Sequence, residues 1–424
     1  MPKTTMRLLP ALMLGAFAGS ASAAAFQLWE QNASGIGVSY AGSAAVADNA
    51  STIFYNPAGM TQLSGTQVSL GMSAVRPVFK FRNQSTGGTD TTGGLLPQLT
   101  APTGGNGGDA GSWSAVPNAY LSWQVAPEWT VGLGISSPFG LSTKYDDNNW
   151  IGRYQSLKAE ITTVNVNPSV AYKVSDKVSL GVGLNYQKIN AEMTNMLPTA
   201  GPGADRLSRL KGDDSAWGWN AGALFTLSPA MRVGVSYRSA IDYKLEGTQT
   251  IGAASVPASA KLKLPDTFIL SVWQQVSDRW EAMGDLSYTH WSTVSRLNVM
   301  NRTTGAPLGI ETFGYTNSWR FAWGAAYKVN EAWKTKFGIA YDRTPTTDSD
   351  RSARVPDNDR VWLSVGGQWK PSKETALDFG YAYLYLKDPS INQTRNFGGG
   401  NTSTLRGKYS DSGHVLGVQY SQGF

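Results

Sequence analysis

Cysteine is absent from the 424 residues and histidine occurs only twice, at His290 and His414. The first absence excludes a disulfide framework and thiolate metal sites. The second leaves hydrolytic chemistry short of a base, since no serine motif accompanies either histidine. Charge is sparse, at 16% of residues, where soluble domains of this size carry about a quarter. The net charge of +6 includes Lys3 and Arg7, and no dense basic run with interleaved aromatics follows, so nucleic acid is not expected as a partner. Paired acids at Asp146-Asp147 and Asp213-Asp214 lack further oxygen ligands at a defined spacing, so no metal site is predicted. Nor is there a phosphate-cradling glycine loop or other cofactor motif; neither energy coupling nor a cofactor is expected.

Long hydrophobic runs are missing too. The longest, Leu8 to Ala18, is about half of the roughly 20 residues a spanning helix needs. Preceded by Lys3 and Arg7 and followed by Ala21-Ser22-Ala23, it reads as a signal peptide over residues 1–23. Without spanning helices, a membrane location requires a closed β-barrel.

What is present fits that requirement. Glycine (47), tryptophan (15) and tyrosine (18) are abundant. From residue 66 apolar side chains fall on alternate positions: Val178, Leu180, Val182, Leu184 and Tyr186 alternate with Ser179, Gly181, Gly183, Asn185 and Gln187. A soluble sandwich alternates as well. Loop asymmetry separates the two: short connections such as Ala126-Pro127-Glu128, Ser175-Asp176-Lys177 and Asn330-Glu331-Ala332 are each followed by a long polar one, the pattern of outer-membrane barrels. Tryptophans beside the short turns, including Trp123, Trp129, Trp280, Trp333 and Trp369, suit an interfacial belt. The expected fold is all-β, a transmembrane antiparallel barrel of about fourteen strands over 66–424, running from a strand near 66–77 to one near 411–424. The last strand ends on Phe424, as a segment read by the barrel-insertion machinery would, although Gln422 is polar where an apolar residue is more usual. A monomer in the outer membrane of a Gram-negative bacterium is expected.

Residues 24–65 lack a sustained two-residue period yet carry Phe26, Leu28, Trp29, Ile53, Phe54 and Tyr55, too apolar for a disordered tail. They are predicted to form a plug, or hatch, inside a lumen too wide for wall side chains to fill. The connection after the third strand holds Phe139, Leu141, Tyr145, Trp150, Ile151 and Tyr154 where polar residues are the norm, with Arg153 and Lys158 near enough to meet a carboxylate. These are the candidate substrate-binding residues; packing of a long loop is the alternative. Pro138 and Gly140 are read as a strand kink. The stretch Met193–Asp214 reads either as a short amphipathic helix at the mouth or as a solvated basic loop facing anionic lipopolysaccharide.

The order Ala24-Ala25-Phe26-Gln27-Leu28, Ser34-Gly35-Ile36-Gly37, Ala47-Asp48-Asn49-Ala50, Asn56-Pro57-Ala58 and Pro138-Phe139-Gly140-Leu141-Ser142-Thr143 resembles the FadL-type outer-membrane transporters of long-chain fatty acids and other hydrophobic compounds. The resemblance implies passive uptake, a substrate site near the outer loops, and release through an opening in the wall. It also implies a gate at Asn56, Pro57 and Ala58, touching an inward kink near Ile135 to Gly140. Fatty acids are the expected cargo and aromatic hydrocarbons the alternative; a general porin or an outer-membrane lipase is a remoter reading.

Overall fold

The computed structural model describes residues 25–201 and 204–424; the expected signal peptide lies outside the described residues. Fourteen strands pair antiparallel in a ring. They are β1 (Thr66–Asn83), β2 (Ser114–Ala126), β3 (Trp129–Ser136, resumed at Gly140–Lys144), β4 (Lys158–Lys173), β5 (Val178–Leu197), β6 (Arg206–Ser228) and β7 (Met231–Arg238, resumed at Ile241–Ile251). The ring continues with β8 (Ala254–Leu264, resumed at Thr267–Gln275), β9 (Trp280–Thr289, resumed at Arg296–Asn301), β10 (Pro307–Thr312, resumed at Ser318–Lys328), β11 (Trp333–Asp342), β12 (Arg360–Trp369), β13 (Thr375–Leu386, resumed at Ser390–Asn396) and β14 (Thr402–Gly423). Pairing of β1 with β14, from Gln67↔Gly423 to Asn83↔Gly407, closes it.

Alternation becomes an inside-out partition. On β5, Leu180, Val182, Leu184 and Tyr186 face outward while Ser179, Asn185 and Gln187 are buried; Leu184 is 56% exposed and its neighbour Asn185 not at all. Water would penalise that arrangement at every second residue, whereas lipid rewards it. Interfacial aromatics stand beside the short turns, with Trp129 at 4.6 Å from Tyr172, Trp280 at 4.8 Å from Tyr327 and Trp333 stacked on Trp369.

Several strands run beyond the lipid-facing band, and here the sequence reading needs correction. Arg206–Asp214 is neither a helix nor a free basic loop. It is the upper half of β6, paired with β5 from Leu197↔Arg206 to Ile189↔Asp214, and Arg209 and Lys211 both meet Glu192. Its alternation fades because neither face there meets hydrocarbon.

Residues 25–65 contribute only short helical turns, Ile36–Val38, Thr52–Tyr55 and Pro57–Gln62, and are almost wholly buried. The first turn contacts β10 to β14 and the last contacts β3 to β6, so the segment touches opposite sides of the ring from within. Backbone without a ladder must find partners elsewhere, and wall side chains supply them. Asp285 accepts from Gly42 and Ser43 N–H, Ser271 from Ala44 N–H at 2.9 Å, Arg320 donates to Ser39 O at 2.7 Å, and Lys336 to Ser34 O at 2.9 Å.

The wall yields space in return. Glycines on nine strands (Gly132, Gly181, Gly222, Gly234, Gly324, Gly338, Gly366, Gly380 and Gly417) face this segment, and a Cβ on Gly234 would stand 1.9 Å from Ala44 O, on Gly338 2.2 Å from Val38 C, and on Gly181 2.3 Å from Ala58 N. Segment and wall therefore meet at backbone distance, which no other residue type permits.

Candidate functional site at the break in the third strand

Pro138 cannot donate to a ladder, and β3 breaks around it. Ser136 pairs with Asn165 and Gly140 with Thr162, so β3 takes four steps where β4 takes three. One extra residue is a bulge, which bends its strand. On the other flank, β3 pairs with β2 only as far as Ile135↔Ala119, while Ser114–Asn118 of β2 pair with β1 alone. The next link across is Lys144 N–H to Ala110 O at 2.9 Å. Between Ser136 and Lys144 the barrel thus has a gap in its strand-to-strand hydrogen bonding.

From inside, the N-terminal chain holds the kink. Leu28 N–H donates to Pro138 O at 2.8 Å and Gly140 N–H to Phe26 O at 2.9 Å. The Gln31 amide donates to Ser137 O at 2.8 Å and accepts from Ser137 N–H at 3.2 Å. Thr163 of β4 secures Phe139, accepting from its N–H at 3.0 Å and donating to its carbonyl at 2.6 Å.

The expected contact between Asn56-Pro57-Ala58 and the kink gives way to a different one. The Asn56 amide donates to Ala44 O at 2.8 Å and Ala223 O of β6 at 3.0 Å, and its oxygen accepts from Ala58 N–H at 3.1 Å. Pro57 and Ala58 lie against Gly181 of β5. This element anchors the segment to β5 and β6, while Phe26–Leu28 and Gln31 hold the kink.

The proposed substrate residues divide into two clusters. Phe139 and Leu141 belong to an apolar column, in which Phe26 packs at 4.9 Å from Trp291 and 6.1 Å from Phe139, Trp291 at 5.7 Å from Tyr315, and Tyr315 at 5.4 Å from Phe313. Ile241, Leu264, Val294 and Val355 complete it. Tyr145, Trp150 and Ile151 lie elsewhere, with Phe81 and Tyr409; Tyr145 stacks on Trp150 at 3.7 Å, and its hydroxyl meets that of Tyr409 at 2.7 Å. Those contacts make a packed loop core, so for Tyr145 and Trp150 the loop-packing alternative describes the structure.

The two expected cations are already matched. Arg153 pairs with Asp205 at 2.9 Å, and the Tyr154 hydroxyl donates to the same carboxylate at 2.8 Å; Lys158 pairs with Glu160 and Glu192. Local sequence missed Trp291, Phe313, Tyr315 and Arg395. The first three share the signal that exposed Phe139: large apolar residues in connections that ought to be polar.

Comparison with known proteins agrees with this geometry. The profile of the outer membrane protein transport protein family (OMPP1/FadL/TodX) matches residues 14–424. Outer membrane protein P1 of Haemophilus influenzae is 33% identical over 469 residues, covering 99% of this chain and all of the relative. The long-chain fatty acid transport protein of Escherichia coli K12 is 27% identical, covering 87% of this chain and 90% of the relative. A Pseudomonas aeruginosa FadL homologue of known crystal structure superposes with a TM-score of 0.86 at 24% identity, over 95% of this chain and all of that one. The toluene transporter TodX of Pseudomonas putida superposes at 0.68 with 15% identity, over 95% and 100%. The chain belongs to the OMPP1/FadL/TodX family, outer-membrane β-barrels that transport hydrophobic compounds.

Proposed function

We propose that this protein admits long-chain fatty acids by passive uptake. The acyl chain enters the column of Phe26, Phe139, Trp291 and Tyr315 beneath the outer loops and leaves sideways through the gap between β2 and β3, with the N-terminal segment as hatch. The carrying observation is that column and gap share Phe139, so an apolar ligand leaving the column reaches lipid without crossing water. A hydrocarbon chain gains about 0.8 kcal/mol per buried CH₂, a gradient that drives entry without an energy source. The gate in this reading is the Phe26–Gln31 stretch.

With Arg153 and Lys158 matched by acids, the carboxylate falls to Arg395. Its guanidinium donates to Tyr154 O at 2.9 Å and has no carboxylate within ion-pair distance among the described residues, unlike Arg354 on Glu311 or Arg153 on Asp205. Burial lowers its pKa to about 10, so it remains a cation at neutral pH. Its charged neighbours Glu311 and Arg354 adjoin Phe313 and Val355 of the column.

Binding of oleate and toluene to the purified protein tests the reading. Oleate binding is expected, and Arg395→Gln should weaken it by about tenfold or more, the worth of a charge-assisted hydrogen bond, while leaving toluene unchanged. Toluene binding without oleate binding would move the assignment to aromatic hydrocarbons, and indifference to both would overturn uptake of either.

A further inference from the structure

The lipid-facing surface where β13, β14 and β1 meet differs from the rest of the wall. A shallow groove of about 580 Å³ runs across β12, β13, β14 and β1, lined by Met72, Val365, Phe379, Tyr381, Leu416 and Val418. Gly366, Gly380 and Gly417 follow one another across the paired strands beneath it, with their missing side chains on the lumen side, and Ala74 is the one small side chain among the outward residues that line it. Its volume is in the range of small-molecule sites.

Above the groove the outward positions turn basic. The exposed residues Lys80 and Arg82 on β1, Lys387 between the two parts of β13, and Arg406 and Lys408 on β14 have no ion-pair partner among the described residues. Arg82 is directly opposite Lys408, a like-charged pair that costs stability unless an anion lies between them. The carboxylates nearby do not offset them: Asp109 is taken by Arg76, Asp411 is buried facing the lumen, and only Asp388 is exposed. Around β5 to β9 several exposed cations are matched instead, Lys188 to Asp213, Lys244 and Arg302 to Glu246, and Lys263 to Asp242, while Arg206, Lys261 and Arg296 stand without an acid among the described residues on β6, β8 and β9.

We propose that this face binds one lipopolysaccharide molecule, an acyl chain in the groove and its phosphates and acidic core sugars along the cation strip. The height of the strip chooses this occupant over a phospholipid. On β14 the apolar band ends at Leu416, and the strip continues through Lys408 to Arg406. At about 3.3 Å per residue and a tilt of about 40°, Lys408 stands roughly 20 Å above Leu416. A phospholipid phosphate stays at the bilayer surface; only a glycolipid with anionic sugars reaches that level.

The experiment reconstitutes the full chain in phosphatidylethanolamine vesicles containing either lipopolysaccharide or phosphatidylglycerol, and counts lipid retained after gentle extraction by native mass spectrometry. Retained lipopolysaccharide is expected for the parent chain. It should fall by about two orders of magnitude in Lys80→Gln/Arg82→Gln/Lys408→Gln, at the usual attraction per basic residue, and be unchanged in the control Lys188→Gln/Lys244→Gln/Lys263→Gln. Heat-modifiable gel migration confirms that each variant is a folded barrel. Ala74→Trp, which fills the groove without touching a charge, should also reduce retention. Equal losses in test and control triples, no loss in the test triple, no loss in Ala74→Trp, or equal retention of phosphatidylglycerol would each overturn the proposal.

Discussion

Removing residues 25–63 is expected to turn a nearly silent protein into an ion-conducting pore. Barrels of about eight strands are filled by their own side chains, and those of 16–18 hold open water. With fourteen strands this wall lies between, and its inner face is pared down further, since nine strands present glycine where the segment lies. The wall side chains that do reach inward, such as Arg320 and Lys336, are polar and would be hydrated once the segment is gone. The groups uncovered, among them Asn165, Asn185, Asn220, Asp285 and Lys336, hydrate readily. The barrel should survive the loss because its strands are held by one another, from β1 on β14 around the ring. Planar-bilayer recording provides the measurement: discrete conductance steps for the deletion against near-background current for the parent chain. A folded deletion variant that stays silent would show that these residues do not seal the lumen.

Deleting Pro138 alone should abolish uptake while leaving ligand binding in place. The register gives the reason. With one residue fewer, Ser136 still opposes Asn165, Ser137 falls opposite Val164, and Phe139 opposite Thr163, which restores both the ladder and the alternation of inward positions. A straight β3 would extend its pairing along Ser114–Asn118 of β2 and close the gap. Uptake of labelled oleate should then drop to that of cells lacking the protein, at normal surface expression and with oleate affinity within a few-fold of the parent. Undiminished uptake would mean that substrate leaves by another route.

How far the sequence carried depended on the surroundings of each residue. Between two unlike solvents every second position is constrained, and the strands in the lipid band were legible, as from Val178 to Tyr186. Above the band that contrast disappears, which is why Arg206–Asp214 invited a helix or loop reading, and the short extensions Arg296–Asn301 and Pro307–Thr312 alternate over only two apolar residues each, Leu297 with Val299 and Leu308 with Ile310. The kink was legible because proline and glycine act locally. Its partners were not, because Phe26, Gln31 and Thr163 reach it from distant parts of the chain. Charge matching was equally hidden: Arg153 looked available until Asp205 arrived beside it, and Arg395 looked ordinary until its neighbours proved to lack an acid to spare.

The glycine-lined contact also bears on how the molecule is made. A segment held within backbone distance of strands all round the ring, and threaded up to Pro138 at one end, is a poor candidate for insertion into a finished cylinder. It is also the part of the described chain that leaves the ribosome first, directly ahead of β1. The simplest order of assembly has the sheet curling around residues 25–65 while β1 still waits for β14, so that the segment is enclosed as the wall forms. The final seam, from Gln67↔Gly423 to Asn83↔Gly407, then fastens a barrel that already holds its contents.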